Sequence, residues 1–174
     1  MVSKNLFRET DMTSIVNEIH AKTLVIATQN EKKKRELIEI LKHVPGILLR
    51  GVEDFPFLPE VEEDGNSFRE NAIKKATILA KSCNTWAMAD DSGLEIDALN
   101  GRPGIYSSRY AGPNATDEKN IEKVLSELRG IPKERRTARF ICSIALASPH
   151  QLLFVVEGLC EGFITEEPSG KGGF

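Results

Sequence analysis

Residues 23–42 read TLVIATQNEKKKRELIEILK, and this stretch decides the class of fold. The run at 23–27 is apolar and partly β-branched, which is typical of a short buried strand. Residues 28–30 then combine turn-forming and helix-capping side chains. Residues 31–42 are rich in strong helix formers, and Leu37, Ile38 and Leu41 fall on one face of the predicted helix. Residues 23–42 are therefore predicted to form a strand, a polar loop and a helix, in that order.

The rest of the chain continues to mix strands and helices. Ser67 and Glu70 form a capping-box pattern that predicts the start of a second helix, and Asn100-Gly101 is a strong hairpin signal. Apolar alternation and helical periodicity predict strands at 47–49, 86–89, 94–99, 137–148 and 152–156, and helices at 68–83 and 117–128. The mixture predicts an α/β or α+β fold with a mixed sheet.

The composition is that of an ordinary globular protein, and the length suggests one domain, or one domain with two lobes. The chain has 174 residues, of which 40% are hydrophobic and 28% charged, and its net charge is −3. Binding to a nucleic-acid polymer usually needs a basic excess, so the charge argues against that class of partner. No apolar run approaches the ~18 residues of a membrane span. We predict an N-terminal extension outside the core at residues 1–22 and one domain at residues 23–174.

Three cysteines, Cys83, Cys142 and Cys160, lie among apolar residues, and their spacing matches no metal motif. Cysteines of this kind are most often buried and reduced in a cytosolic protein. The sequence therefore predicts three buried thiols and no disulfide framework.

The polar segment at residues 28–35 could bind phosphate. It lies between a predicted strand and a predicted helix, where backbone amides and the helix dipole favour anions. Hydroxyl, amide and lysine side chains would complete such a site. The glycines of a Walker loop are absent, and the same lysines could instead form a solvated helix face, so both interpretations stay open.

Carboxylates are concentrated in two places. Residues 60–65 read EVEEDG, an acidic loop whose oxygens could ligate magnesium or simply be solvated. Asp90 and Asp91 follow a predicted strand and precede Ser92-Gly93, so we expect them on a turn at the strand end. Adjacent carboxylates are tolerable there if a cation or lysines offset their charge. One of the two aspartates could then polarise or deprotonate a water. The alternative interpretation is structural, an Asx turn capped by both aspartates.

Two basic positions complete the candidate set. Lys74-Lys75 on the predicted helix could contact a substrate phosphate or a carboxylate, or could lie at the surface. Arg109 could pair with a phosphate or clamp the loop of Asp91, or could belong to a tight structural turn.

Four segments, in this order, resemble the inosine triphosphate pyrophosphatase-like family. They are ATQNEKKKRE at 27–36, EDGNSFRENAIKKA at 63–76, ADDSGLEIDALNGRPGIYSSRYAG at 89–112 and GFITEEPSGKGGF at 162–174. The resemblance covers residues 24–174. It implies an α/β fold with an elongated central mixed β-sheet flanked by helices, and two lobes around a cleft.

The resemblance also implies a reaction and its components. Such proteins hydrolyse ITP, dITP and XTP to the monophosphate and pyrophosphate with Mg²⁺, and so remove deaminated purines from the nucleotide pool. A cytoplasmic homodimer that binds a purine nucleoside triphosphate is implied, without a nucleic-acid polymer or a membrane as partner. In-line attack of water on the α-phosphorus needs positioned oxygens, a cation and offset charge, and no nucleophilic side chain.

Carried over to this sequence, the resemblance assigns Asp91 as general base and magnesium contact, with Glu63 as a second magnesium ligand. Asp90 and Arg109 are expected to support the site. The family usually has glycine at position 29, so Gln29 weakens the expectation of a close backbone approach there. The predicted substrate-binding residues are Thr28, Gln29, Asn30, Glu31, Lys32, Lys33, Lys75, Ser92 and Phe174.

The sequence ends in SGKGGF at residues 169–174, where the family continues into a base-reading segment of which only Phe174 is present. From this we expect a truncated chain with weak or no selective activity. Two alternatives remain, a septum-type nucleotide pyrophosphatase and a catalytically impaired nucleotide-binding module. A haloacid dehalogenase-like phosphatase is disfavoured because Thr28-Gln29-Asn30 occupies the place of its nucleophilic aspartate.

Overall fold

A five-stranded sheet organises the computed structural model, which describes residues 23–28 and 30–170. The strands are β1 (Thr23–Ile26), β2 (Leu48–Gly51), β3 (Trp86–Ile96), β4 (Thr137–Ala147) and β5 (Leu152–Phe163). They lie in the order β2-β1-β3-β4-β5. The longer helices of the described chain are α1 (Glu31–Leu41), α2 (Phe68–Cys83) and α3 (Asp117–Glu127).

The polar residues before the helices cap them, as the sequence predicts. Ser67 Oγ accepts the backbone N–H of Glu70 at 3.1 Å, and the Glu70 carboxylate accepts the N–H of Asn66 at 2.8 Å. At the start of α3, Thr116 Oγ1 accepts the N–H of Lys119 at 3.3 Å. These bonds satisfy backbone donors that have no partner inside the helix, so each helix begins where its cap stands.

The strand β1 lies at the centre of the parallel part of the sheet. Its Leu24 is in register with Leu49 of β2 and with Trp86 of β3. Strands of a parallel sheet are covered on both faces and read as apolar runs. Val25 and Ile26 are accordingly almost fully buried.

The other side of the sheet is an antiparallel hairpin. Strands β4 and β5 are joined by residues 148–151, and the N–H of Ser148 donates to the carbonyl oxygen of Gln151 at 2.8 Å. A connection this short can join only antiparallel neighbours. The sheet is therefore mixed, and the predicted α/β class is confirmed.

The described chain forms two compact units, each assembled from separate segments. The first contains the described residues up to 61 together with 75–89 and 146–154, and the second contains 62–74, 90–145 and the described residues from 155 onward. In the first unit, Ala76 and Ala87 are fully buried. In the second, an apolar core is formed by Ile96, Leu99, Val124, Leu128 and Ala138.

The strand β3 contradicts the predicted turn. Two strands separated by a turn at residues 90–93 were expected, but β3 is continuous from Trp86 to Ile96. Asp90 and Asp91 lie inside it and are only 6% and 8% exposed. The Ser-Gly pair favours a turn as a local preference, but β3 as a whole is hydrogen-bonded to β4 in the sheet. Tertiary context of this kind overrides a local preference.

Two further expectations are corrected at the end of the sheet. The strand β5 continues to Phe163, beyond the predicted end at 156, and its last residues are exposed. Cys160 is exposed for this reason, and Cys83 and Cys142 are only half-buried, so the prediction of three buried thiols is wrong. None of the helices in the described part of the chain is long and apolar enough to cross a membrane.

Candidate functional site

The loop between β1 and α1 is organised by its own side chains. Asn30 Oδ1 accepts the backbone N–H groups of Lys32 at 2.9 Å and Lys33 at 3.2 Å. The N–H of Asn30 donates to Thr28 Oγ1 at 3.2 Å. Amides at a helix start can bind anions, but these two already have Asn30 as their acceptor. A phosphate at this loop would therefore be bound mainly by side chains and not by these two backbone amides.

The lysines at the start of α1 are not equivalent. Lys34 forms an ion pair with Glu53, and this bond raises the pKa of the Lys34 ammonium and lowers the pKa of the Glu53 carboxyl. The exposed Glu31 lies 3.9 Å from the same ammonium group. Lys34 therefore joins α1 to the segment after β2. The sequence does not reveal this structural role, because the lysines at 32–34 are consecutive and look alike.

The carboxylate of Asp91 has a defined orientation within β3. Its Oδ2 accepts a hydrogen bond from Asn71 Nδ2 at 3.0 Å, and its Oδ1 accepts the backbone N–H of Ser92 at 3.0 Å. An ionised carboxylate only accepts hydrogen bonds, so N–H donors on both oxygens suit it. The two donors together fix the plane and the direction of this group.

Gly93 is required for close packing rather than for a turn. A Cβ at this position would lie 2.5 Å from Ser107 Oγ, 2.7 Å from the carbonyl oxygen of Gly104 and 2.9 Å from Phe68 Cε1. Ser107 Oγ itself accepts the N–H of Leu94 at 2.9 Å and donates to the Gly104 oxygen at 2.6 Å. The strand that carries Asp91 is therefore held against the turn at Gly104–Arg109.

Arg109 contacts the acidic loop. Its Nη1 lies 3.8 Å from Glu63 Oε2, and its Nη2 donates to the backbone oxygen of Glu63 at 3.4 Å. The sequence left a phosphate, the loop of Asp91 and a structural turn as alternatives for this guanidinium group. In the structure it holds Glu63, the predicted second magnesium ligand.

The next two residues of the acidic loop are held by α2. Asp64 pairs with Lys74 at 2.5 Å, and this bond lowers the pKa of the Asp64 carboxyl. The backbone N–H of Gly65 donates to Asn71 Oδ1 at 2.8 Å. One side chain, that of Asn71, therefore contacts both the acidic loop and Asp91.

The carboxylate oxygens of Glu63 and Asp91 are ligands of a kind that fits magnesium. Among the described residues there is no group of three or more histidine, cysteine, aspartate or glutamate side chains that could hold a metal ion. Magnesium in nucleotide enzymes usually has one or two carboxylate ligands, with waters and phosphate oxygens in the remaining positions. Glu63 and Asp91 supply oxygen donors of this kind, on segments that Asn71 joins.

The remaining predicted residues are distributed over both units. Asp90 is buried in β3, Ser92 is half-buried in the same strand, and Lys75 is half-buried on α2. Lys75 belongs to the first unit and Asp91 to the second. The predictions for the N-terminal extension, Gln29 and Phe174 lie outside the described residues.

Sequence reasoning missed Asn71 and Ser107. Asn71 is 1% exposed and follows Phe68 by three residues, which places both on one face of α2. A polar residue on the apolar face of a predicted helix was the available signal. Ser107 offered no signal, because serine is common in turns.

Comparison with known proteins places these motifs in one family. The sequence profile of the Ham1 family matches residues 24–174. The chain is 53% identical over 151 residues to the dITP/XTP pyrophosphatase of Geobacter sulfurreducens, which covers 87% of this chain and 75% of that protein. It is 52% identical over 153 residues to the dITP/XTP pyrophosphatase of Bacillus subtilis, which covers 88% and 77% respectively.

Solved structures agree with the sequence comparison. The Ham1 protein of Staphylococcus aureus superposes with a TM-score of 0.77 at 41% identity, over 88% of this chain and 77% of that chain. The HAM1 protein of Coxiella burnetii superposes with a TM-score of 0.79 at 44% identity, over 88% and 78%. Since both sequence and fold match over nearly nine tenths of its length, this chain belongs to the Ham1 family.

Proposed function

We propose that this chain hydrolyses the deaminated purine nucleoside triphosphates ITP, dITP and XTP to the monophosphate and pyrophosphate. The observation that carries the proposal is the identity of 53% and 52% with two dITP/XTP pyrophosphatases. The names of those relatives favour purine substrates over the modified pyrimidines of the septum-type alternative. The chemistry of the residues around Asp91 supports the same reaction.

The first unit is proposed to bind phosphate groups through its polar side chains. Asn30 fixes the start of α1, and the hydroxyl of Thr28 is held beside it. Lysine ammonium groups offset the charge of a triphosphate, and here Lys33 and Lys75 are proposed for that role. The other proposed substrate contacts of this unit are Gln29, Glu31 and Lys32.

The second unit is proposed to orient the attacking water. Asp91 is the proposed proton acceptor, and its orientation is set by Asn71 and the Ser92 amide. Asp90 is proposed to support it from within β3, and Arg109 by holding Glu63. Magnesium held by Glu63 and Asp91 would supply charge stabilisation for the phosphoryl oxygens when it is bound.

The proposal is tested by pyrophosphate release from ITP, XTP, ATP and UTP with magnesium, for the wild type and for Asp91→Asn. The substitution keeps the size of the side chain and removes its charge, so we expect kcat to fall by about 100-fold or more while the fold is retained. Glu63→Gln should instead raise the magnesium concentration needed for half-maximal rate.

Asp97→Asn is the matched control, because Asp97 is exposed and bonds to Thr137 and Arg139 instead of to the site. It should keep the wild-type rate. Equal rates for wild type and Asp91→Asn would refute the assignment of Asp91. Magnesium-dependent binding of ITP without pyrophosphate release would favour the alternative of a nucleotide-binding module.

We also propose that the protein acts as a homodimer in the cytoplasm. Large apolar side chains at the sheet edge support a contact with a second copy, since Leu159 and Phe163 of β5 are 62% and 59% exposed. Light scattering across a dilution series measures the mass, and a monomer at micromolar concentration would contradict the dimer. Cell fractionation tests the compartment.

A further inference from the structure

The side chain of Asn71 is buried and uses both ends of its amide. It is 1% exposed. Its Oδ1 accepts the N–H of Gly65 at 2.8 Å, and its Nδ2 donates to Asp91 Oδ2 at 3.0 Å. The two partners lie on different segments of the second unit, one on the acidic loop and one on β3.

The amide can have only one orientation at this place. If its oxygen and nitrogen were exchanged, the nitrogen would face the N–H of Gly65 and the oxygen would face the Asp91 carboxylate. Both contacts would then be repulsive, because donor would meet donor and acceptor would meet acceptor. The hydrogen-bond pattern therefore fixes the amide as a donor toward Asp91.

The acidic loop is built around this contact. A Cβ at Gly65 would lie 2.6 Å from Asn71 Oδ1 and 2.9 Å from Glu70 Cβ. Glycine at position 65 is thus what allows the loop backbone to approach the amide. Asn71 in turn is held by α2, where its N–H donates to the carbonyl oxygen of Ser67 at 3.1 Å.

We infer that Asn71 is a positioning residue for the reaction, which sets the direction of the Asp91 carboxylate and holds the loop of Glu63 beside it. The inference rests on the proposed function, since it concerns how the same site is oriented. Groups that orient a metal-binding carboxylate through a hydrogen bond typically change metal affinity or activity by about 10- to 100-fold when they are removed. In this role Asn71 acts through the Asp91 carboxylate and not on the substrate itself.

The chain contains a matched control in Asn120 on α3. This residue is also 1% exposed. Its Oδ1 accepts the N–H of Ala111 at 2.8 Å, and its Nδ2 donates to the backbone oxygen of Ser108 at 3.3 Å. Residue type, burial and hydrogen-bond pattern are the same, but the acceptor is a backbone carbonyl instead of the Asp91 carboxylate.

The test compares Asn71→Ala with Asn120→Ala in three measurements: thermal unfolding, steady-state pyrophosphate release from ITP, and Mn²⁺ titration followed by electron paramagnetic resonance without nucleotide. Both variants should unfold at lower temperature. Only Asn71→Ala should lose about 10- to 100-fold in kcat, with a smaller change in KM, and bind Mn²⁺ about 10-fold or more weakly.

Two results would overturn the inference. The first is that Asn71→Ala keeps a kcat and a Mn²⁺ affinity within about 2-fold of wild type. The second is that Asn120→Ala loses as much kcat and Mn²⁺ affinity as Asn71→Ala, because destabilisation alone would then explain the effect. If the wild type releases no pyrophosphate, the proposed function fails, and the Mn²⁺ titration still decides the role of Asn71.

A second variant keeps the test usable if Asn71→Ala does not fold. Asn71→Asp has the same size and keeps an acceptor for Gly65, but it replaces the donor toward Asp91 by an acceptor. Its kcat should fall at least 10-fold relative to Asn120→Asp. Equal kcat values for this pair would contradict a positioning role.

Discussion

Replacement of Gly93 by alanine should destabilise the second unit by a predictable amount. The added methyl group would meet Ser107 Oγ, the Gly104 carbonyl and Phe68 Cε1 at 2.5, 2.7 and 2.9 Å, so the strand or its neighbours must move by several tenths of an ångström. Overpacking and strained hydrogen bonds of Ser107 together should cost about 2–4 kcal/mol in the free energy of unfolding. The midpoint of thermal unfolding should fall by roughly 5–15 °C.

The assay is thermal and urea unfolding of Gly93→Ala beside Gly158→Ala. Gly158 lies in β5, and apart from its own two chain neighbours no residue of the described chain comes within 4 Å of a Cβ built there. The control should therefore change the free energy of unfolding by less than about 1 kcal/mol. The packing argument is refuted if the two variants unfold at the same midpoint. Because Asp91 is on the same strand, Gly93→Ala should also lower the rate of pyrophosphate release.

Two further predictions concern titratable side chains. Burial, together with the hydrogen bond to Glu127, raises the pKa of Tyr110 from 10.0 to about 12. The neutral hydroxyl of Tyr110 therefore contributes to the stability of the folded protein below pH 10, and this contribution is lost as the pH rises toward 12. In urea unfolding between these pH values, wild type should lose stability more steeply than Tyr110→Phe. Cys160 is exposed, whereas burial raises the pKa of Cys83; Cys160→Ser should remove a fast-reacting thiol in a dithionitrobenzoate assay, and Cys83→Ser should not.

The local elements were predictable because their signals lie within a few residues of each other. The start of α2 followed from Ser67 and Glu70, which bond to backbone groups within four residues of themselves. The apolar run of β1 predicted a strand covered on both faces, and Val25 is 0% exposed. Capping and periodicity are short-range interactions, so the sequence states them directly.

The errors arose where a local preference competed with a distant partner. Ser92-Gly93 has the composition of a turn, but β3 runs straight through it. The reason for Gly93 is the approach of Ser107, fourteen positions later, and no short-range pattern reports that contact. The extension of β5 to Phe163 was missed for a similar reason, since Glu157-Gly158 interrupts the apolar pattern.

By itself, the sequence determined the α/β class, the positions of the capped helices, the order of the four motifs and the residue types available for chemistry. Only the tertiary structure decided that Asp91 is buried in a strand, that Arg109 holds Glu63, and that Asn71 joins the acidic loop to Asp91. The physical reason is range. Helix caps and apolar periodicity act between near neighbours, whereas the orientation of a carboxylate depends on donors that folding brings from elsewhere in the chain.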